Sequence, residues 1–354
     1  MRTNHTSGVT SREISKATMV SITENVATRF GDSRTEMLVT VLENMVWPIL
    51  VVTFLAFGLL IPIELFYSLD NIQFIIFSSA GLGILVLAES LCLLSGNFDL
   101  SVGAVAGFTA VFSGLFIYQW FPGVPGVVGV LIALALGAFI GFMNGFSISV
   151  LGVNPFLQTL TFYIIFGEGT VILTQLSISG LPESYLYLGG GSLFGFKVGV
   201  LLLLTLFAIA GFVLKYTRIG LAIYAVGGDE QAAKEAGYNT TRTIILVYVA
   251  SGVLSALAGV VYAGYIGTVT PTLANGQLFP AFAAAVVGGI SLFGGRGNIL
   301  GALAGVLLLS TIQSGLVLVN VPSSWVATIN GVILLAAVLL YTAEARLRQR
   351  LLSA

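Results

Sequence analysis

Long apolar runs alternate with short polar turns from about residue 45 onward. A helix needs roughly 20 apolar residues to cross a membrane, and runs of that length recur almost to the end of the chain. The pattern predicts an all-α integral membrane protein with about ten transmembrane helices. The predicted spans are residues 45–63, 72–94, 100–119, 126–150, 155–177, 196–214, 244–266, 278–294, 299–319 and 324–342.

The same pattern divides the chain into three regions. Residues 1–44 are mostly polar, and the capping-box pattern from Ser33 to Glu36 predicts an interfacial helix in a cytoplasmic N-terminal segment. A docking or regulatory role for this segment is the less favoured alternative. Residues 45–342 are predicted to form the transmembrane domain, and residues 343–354 a short cytoplasmic tail.

Basic residues are distributed unevenly between the two sides of the predicted spans. With ten spans both termini share one side, and that side receives every lysine and arginine except Lys197. Basic loops are typical of the cytoplasmic face. The distribution predicts a multi-pass protein of the cell membrane with both termini in the cytoplasm.

One stretch inside the membrane part, Lys215 to Arg242, is unusually charged. Residues 215–243 are therefore predicted to form a cytoplasmic loop between two spans. Residues 229–236 follow a glycine pair and consist mostly of good helix formers, which predicts a short helix there. A charged helix held on one side of a membrane indicates a docking site for another protein.

Composition narrows the class further. The chain is 57% hydrophobic and 8% charged, with a mean hydropathy of +1.02, whereas soluble domains are about 25% charged. A single cysteine, Cys92, and a single histidine, His5, argue against a disulfide framework and against a zinc or haem site. Without a phosphate-binding loop or a catalytic triad, the chain is expected not to be an enzyme. The net charge of −1 gives no basis for nucleic-acid binding.

Three acidic residues lie at or near membrane depth, where ionisable side chains are costly and often functional. Asp99 precedes a predicted span, and we expect it to cap that helix within a motif that includes Ser101 and Gly103. Direct substrate contact by Asp99 is the less favoured alternative. Glu89 and Glu168 lie inside spans and are expected to face other helices or a wet cavity, where they could carry protons.

Two repeated patterns concern helix packing. Glycines recur every four residues at 137–145, 297–305 and 103–107, and small residues let membrane helices approach closely. Tight packing is the favoured reading, with a moving seam as the alternative. Residues 143–160 also weakly resemble residues 313–329. The offset of five spans between them favours two inverted five-helix halves, an arrangement seen in many transporters.

Three motifs together carry a family resemblance. They read GNFDLSVGAVAGF at 96–108, NGFSISVLGVNPFLQTL at 144–160, and a long segment at 217–316 that starts TRIGLAIYAVGGDEQAAKEAGYNTTR. The chain resembles the membrane-spanning permeases of ribose/xylose/galactose-type ABC sugar importers, over about residues 45–342. The resemblance implies the helical fold that permeases of sugar and vitamin ABC importers share.

The function that the resemblance implies is that of a permease subunit in an ATP-driven importer of a monosaccharide, a pentose or a hexose. The implied partners are ABC ATPase subunits, a periplasmic or extracellular solute-binding protein, a second permease copy (identical or a close paralogue), the sugar and membrane lipid. ATP and magnesium would bind to the ATPase, so this chain is expected to hold neither a cofactor nor a metal.

Coupling residues are also implied by the resemblance, because the matching segment of the family forms the cytoplasmic helices that dock into the ATPase. The implied coupling residues are Gly227, Gly228, Asp229, Glu230, Ala232, Ala233, Lys234, Glu235 and Gly237.

The substrate is the least constrained part of this reading. Family members commonly carry an Arg-Gly pair where this chain has Glu168 and Gly169. Asn154, Gln158 and Gln175 are candidates for a sugar path, chosen by residue type alone. The alternatives are an ABC permease for a nucleoside or another small polar solute, a proton-coupled secondary carrier, and a channel or membrane scaffold.

Overall fold

The computed structural model describes residues 45–322, 325–326, 328–336 and 338–339. The predicted segments 1–44 and 343–354 lie outside these residues, so the interfacial helix stays a prediction. The helices are α1 (Val46–Leu60), α2 (Ile63–Phe66), α3 (Leu69–Leu94), α4 (Val102–Leu115, continued by the π-helical turn Phe116–Trp120), α5 (Gly126–Ser149), α6 (Pro155–Leu173), α7 (Glu183–Gly190), α8 (Val198–Tyr216), α9 (Arg218–Gly228), α10 (Glu230–Glu235), α11 (Thr240–Ile266), α12 (Leu278–Val287) and α13 (Ile299–Leu318). A two-residue hairpin, β1 (Ser192–Leu193) and β2 (Phe196–Lys197), precedes α8.

Seven of these helices are long and apolar enough to cross a membrane, namely α3, α4 with its π-helical turn, α5, α6, α8, α11 and α13. The chain is thus an all-α, multi-pass membrane protein. Two predicted spans correspond to shorter helices, since α1 has 15 residues and α12 has 10. The described residues between 325 and 339 are also helical.

The predicted span 278–294 is wrong in length because its helix ends at Val287. The apolar run continues beyond that point, but Gly289 has a φ of +86° and reverses the chain. The amides of Gly289 and Ile290 donate to the carbonyls of Val286 and Ala285, which is the Schellman pattern of a helix end. Residues 288–298 therefore form a turn at the end of a short helix.

Helix α11 lies at the centre of the described bundle and packs against α5, α3, α4 and α7. Its contact with α5 is the most extensive helix pair. Helix α3 packs against α11 and also against α12, α13 and α8. The residues of α3 from Ser79 to Ser90 are all buried, although an average membrane span has a lipid-facing side.

The predicted close packing at the glycine repeats is confirmed. A Cβ on Gly137 would meet the carbonyl of Gly252, and a Cβ on Gly141 would meet the carbonyl of Tyr248. Helices α5 and α11 are thus in backbone contact, which only glycine permits. The glycines at residues 297–305 likewise make close backbone contact with α12 and with the turn after it.

We expect Gly141→Val to destabilise the protein, because its side chain would have to push α5 away from the backbone of α11. Overpacking of this kind costs about 1–3 kcal/mol or more. The matched control is Gly167→Val on α6, where a Cβ meets nothing within 4 Å. Thermal unfolding in detergent should show a lower midpoint for Gly141→Val only, and equal midpoints would contradict the backbone contact.

Candidate functional site

The charged stretch predicted as a loop contains two helices. Thr217 caps α9 by accepting a hydrogen bond from the amide of Gly220 at 3.2 Å. One face of α9 is buried, including Ile223 and Val226. The expectation of a solvated loop is therefore wrong for α9, because its apolar face packs against α8, α11 and α3.

The short helix predicted at 229–236 is confirmed as α10. The carboxylate of Asp229 accepts a hydrogen bond from the amide of Ala232 at 2.9 Å and so caps its first turn. At the other end Gly237 has a φ of +89°. The amides of Gly237 and Tyr238 donate to the carbonyls of Lys234 and Ala233, closing a Schellman motif. Both ends of a six-residue helix are thus defined by local hydrogen bonds.

The predicted coupling residues divide into two groups by exposure. Two of them are buried: Gly227 near the end of α9, and Ala233 in α10, which is only 4% exposed. These two hold the segment in place and are not available for contact with another protein. The exposed members are Gly228, Asp229, Glu230, Ala232, Lys234, Glu235 and Gly237.

The C-terminal end of α9 is anchored to the transmembrane bundle through glycine. A Cβ on Gly227 would meet the carbonyl of Leu94, the last residue of α3, and the amide nitrogen of Gly295 at 2.6 Å. The Gly295 amide donates to that same Leu94 carbonyl at 3.0 Å. Three chain segments therefore meet backbone to backbone at this point.

A second contact ties α9 to the turn at 288–298. The Tyr224 hydroxyl donates a hydrogen bond to the carbonyl of Gly297 at 3.0 Å. Partial burial raises the pKa of the Tyr224 phenol above its usual value. Neither Tyr224 nor Gly295 was predicted as a site residue, and the signal that the sequence offers is the density of glycines in that turn.

A buried polar network lies at the same end of the bundle. Asp99 is 2% exposed, and its Oδ1 accepts hydrogen bonds from the Ser101 amide at 3.1 Å and the Ser101 hydroxyl at 2.5 Å. Its Oδ2 accepts from the Ser251 hydroxyl of α11 at 2.6 Å. Ser101 directly precedes α4. The N-cap of α4 is Ser101, and no side chain bonds to the amides of the first helical turn, so Asp99 does not cap the helix in the expected way. Asp99 instead orders the turn before α4 and connects it to α11.

The network continues into two further helices. The amide nitrogen of Asn144 on α5 donates to the Ser101 hydroxyl at 3.2 Å, and the Gln158 amide of α6 reaches Asn144 Oδ1 at 3.4 Å. Hydrogen bonds thus connect the start of α4 with α5, α6 and α11. Sequence reasoning missed Asn144 and Ser251 as members, although Asn144 begins one of the recognised motifs.

The remaining motif residue and the predicted path residues lie in several places. A Cβ on Gly103 would lie 3.1 Å from the carbonyl of Ala274, so this glycine allows close packing of the chain after α11. Asn154 caps α6 by accepting from the amide of Phe156 at 2.9 Å. Gln175 is exposed beyond the other end of α6, roughly 28 Å away for a 19-residue helix. The structure brings Gln158 to the polar network but not Gln175.

The two remaining acidic residues differ completely in environment. Glu89 on α3 is 0% exposed, and neither carboxylate oxygen has a hydrogen-bond partner among the described residues. Glu168 is exposed on α6. Within the described part of the chain, no three His, Cys, Asp or Glu side chains converge on a potential metal site.

We expect Ser251→Ala to destabilise the protein, since it leaves Asp99 Oδ2 buried without its donor at a cost of about 1–3 kcal/mol. Ser255→Ala is the matched control, one turn further along α11. The Ser255 hydroxyl is buried and has no hydrogen-bond partner among the described residues. Thermal unfolding in detergent should show a loss for Ser251→Ala and little change for Ser255→Ala. A larger loss of stability for Ser255→Ala than for Ser251→Ala would contradict a stabilising role of the hydrogen bond from Ser251 to Asp99.

Several known proteins resemble this chain over most of its length. Fructose import permease protein FrcC of Rhizobium meliloti is 34% identical over 300 residues, 82% of each chain. Autoinducer 2 import system permease protein LsrC of Photorhabdus laumondii is 33% identical, covering 86% of this chain and 91% of its own. Probable ABC transporter permease protein YphD of Escherichia coli is 35% identical, covering 82% and 86%. No solved structure shows a significant match.

A family profile described as the permease component of the branched-chain amino acid transport system matches residues 71–338. That range contains the polar network, the two helices of the charged stretch and all seven candidate spans except the first two residues of α3. The match covers well over half of the chain, and the relatives are likewise permeases, so this chain belongs to that family of transport permeases.

Proposed function

We propose that this chain is the permease subunit of an ATP-driven importer and forms the transmembrane path for a monosaccharide. A separate solute-binding protein would deliver the sugar, and separate ATPase subunits would supply the energy. The observation that carries the proposal is α10, a short exposed helix capped at both ends and joined to the bundle through α9. Such a helix is suited to transmit force from a docked partner.

The proposed mechanism is alternating access. ATP binding would close two ATPase subunits, which push on α10, and hydrolysis would reset them. Displacement of α9 would reach the end of α3 through Gly227 and the turn at 288–298 through Tyr224. The polar network that orders α4, α5, α6 and α11 lies at the same end of the bundle. A small movement there would change the path between these helices.

We further propose ten transmembrane helices in two inverted halves. Helices α1, α3, α4, α5 and α6 would correspond to α8, α11, α12, α13 and the described helical residues between 325 and 339. Helix lengths support this pairing. Helices α3 and α11 have 26 and 27 residues, and each is followed by a shorter helix, α4 or α12. Both termini would then lie in the cytoplasm, on the same side as α10.

A second permease copy, identical or a close paralogue, would complete the path. Helix α6 supports this part of the proposal because only Thr159 and Thr170 of its 19 residues are buried. Gln158 at its polar end and the exposed Glu168 would then line the space between the copies. The names of the relatives, which refer to fructose and autoinducer 2, favour a pentose or hexose. A nucleoside or another small polar solute is the alternative within the same class.

We expect Ala232→Trp to prevent association with the ATPase while leaving membrane insertion intact. Ala232 is exposed on α10, so a large side chain there extends into the space that a partner would occupy. A misfit at the centre of an interface should lower the affinity at least about tenfold. The measurement is co-purification of the ATPase from membranes that contain the whole importer.

The matched control for this experiment is Ser192→Trp, which adds the same side chain at an exposed position of the hairpin before α8. Ala232 tests docking better than Gly237, whose φ of +89° would also strain any other residue. Undiminished co-purification of the ATPase with Ala232→Trp would exclude α10 as the docking helix.

A proton-coupled carrier is the second candidate function, and Glu89 is the observation that favours it. Its carboxyl group is fully buried and has no hydrogen-bond partner among the described residues. Under the proposal for an ATP-driven importer, Glu89→Gln should preserve uptake, because glutamine retains the shape of the side chain and an ATP-driven path does not need a group that releases and rebinds a proton. Uptake of labelled sugar into proteoliposomes should then require the ATPase and the solute-binding protein and should resist an uncoupler. The opposite result would establish the carrier: concentrative uptake by the chain alone, lost with an uncoupler and in Glu89→Gln.

A further inference from the structure

An apolar groove with a volume of about 360 Å³ runs between α3, α8, α9 and α11. Its walls consist of aliphatic side chains only, and several of them, such as Ile209 and Leu246, are more than 40% exposed. The volume falls in the range of roughly 300–1,000 Å³ that small-molecule sites occupy. The chain does not fill this groove with any described residue.

The groove has the length of one membrane leaflet. On α8 it extends from Leu206 to Leu214, and on α11 from Leu246 to Leu254. Eight helical steps correspond to about 12 Å, against roughly 15 Å for half of the hydrocarbon core. The groove reaches the last turn of α8 and begins about two turns into α11, so it opens toward the same polar end as α9 and α10.

Three basic residues lie at that polar end. Lys215 follows the groove on α8, Arg218 begins α9, and Arg242 lies one helical turn before Leu246 on the same face of α11. All three are exposed, and no carboxylate of the described chain forms an ion pair with them. Tyr216 is 67% exposed beside them, which is typical of a residue at the membrane interface.

We propose that this groove binds one acyl chain of an anionic phospholipid, with the phosphate-containing head group held by Lys215, Arg218 and Arg242. The apolar walls match the tail, the length matches one leaflet, and the positive charges match the head group. This proposal requires only that the chain lies in a membrane. It does not depend on the identity of the transported solute or on binding of the ATPase. The lipid would stabilise α9, and thereby the base of α10, against α8 and α11.

A second groove of about 290 Å³ offers an internal comparison. It lies between α1, α3 and α13 and is likewise apolar, with Leu55 and Ile72 among its walls. The nearest charged residue along α3 is the exposed Asp70, two positions before Ile72. A negative charge repels an anionic head group. The two grooves thus share their apolar character and differ in charge.

The test is native mass spectrometry of the full-length chain in detergent, titrated with dioleoyl phosphatidylglycerol or with dioleoyl phosphatidylcholine. Both lipids carry the same tails, so the comparison isolates the head group. We expect one phosphatidylglycerol to bind preferentially. Each basic residue near a membrane surface contributes a roughly fivefold preference for anionic lipid. The Lys215→Gln/Arg218→Gln variant should therefore bind it about 25-fold more weakly.

Two matched controls make the result specific to this groove. Lys197→Gln removes a cation at the opposite end of α8 and should leave binding unchanged. Ile209→Trp should fill the groove and displace the lipid, whereas Leu55→Trp fills the other groove and should not. Thermal unfolding of both tryptophan variants establishes that they fold.

Three outcomes would overturn the proposal. Equal binding of the two lipids would remove the role of charge. An equal loss with Lys197→Gln would show general attraction to the whole protein. If Ile209→Trp instead changes the fraction of dimer and leaves lipid binding intact, the groove is an interface between two copies of the chain.

Discussion

The backbone contact between Gly227 and the end of α3 is the constraint on which the arrangement of the site depends. A Cβ at this position would meet the carbonyl of Leu94 and the amide of Gly295, which are hydrogen-bonded to each other. The end of α9, the end of α3 and the turn after α12 are thereby held at van der Waals distance. Because the three backbones are in contact there, α9 cannot move toward α3 or toward the turn without displacing them.

The polar network gives the neighbouring helices a comparable connection through side chains. Asp99 brings a carboxylate into a buried site, which costs free energy unless its oxygens receive hydrogen bonds. Ser101 and Ser251 donate these hydrogen bonds, and Asn144 extends the hydrogen-bond network toward α6. These bonds hold only while α4, α5 and α11 keep their relative positions. The network therefore favours one arrangement of the helices over a continuum of slightly shifted ones.

Local patterns of the sequence predicted the long helices well. Helix α5 was expected at 126–150 and is found at Gly126–Ser149, because an apolar run there is bounded by turn residues at both ends. Helix α10 was likewise predicted, because good helix formers follow a glycine pair there. Hydropathy failed at α12, since the apolar run continues past the glycine turn that ends the helix. It also failed at α9, where flanking charges obscured a buried face.

The candidate site was less predictable because its contacts are not local. Ser251 is 152 positions from Asp99 along the chain, and no pattern within either segment identifies the other. The same holds for Tyr224 and Gly297, which are 73 positions apart. A motif can predict that Asp99 lies near a helix start, but its hydrogen-bond partner on α11 follows only from the fold.

Several polar side chains at the same end of the bundle as α10 are already engaged in hydrogen bonds, and this bears on the substrate path that was predicted from residue type. Asn154 already caps α6, and Asn144 and Ser101 already bond within the network. A side chain whose donors and acceptors are engaged inside one chain has little left to offer a sugar. Gln158 is the exception, since its one contact at 3.4 Å is long and it lies on the least buried span. The side chains of α6 are therefore more available to a polar solute than those in the packed interior of a single chain. A second copy of the chain could supply the other wall of a path along α6.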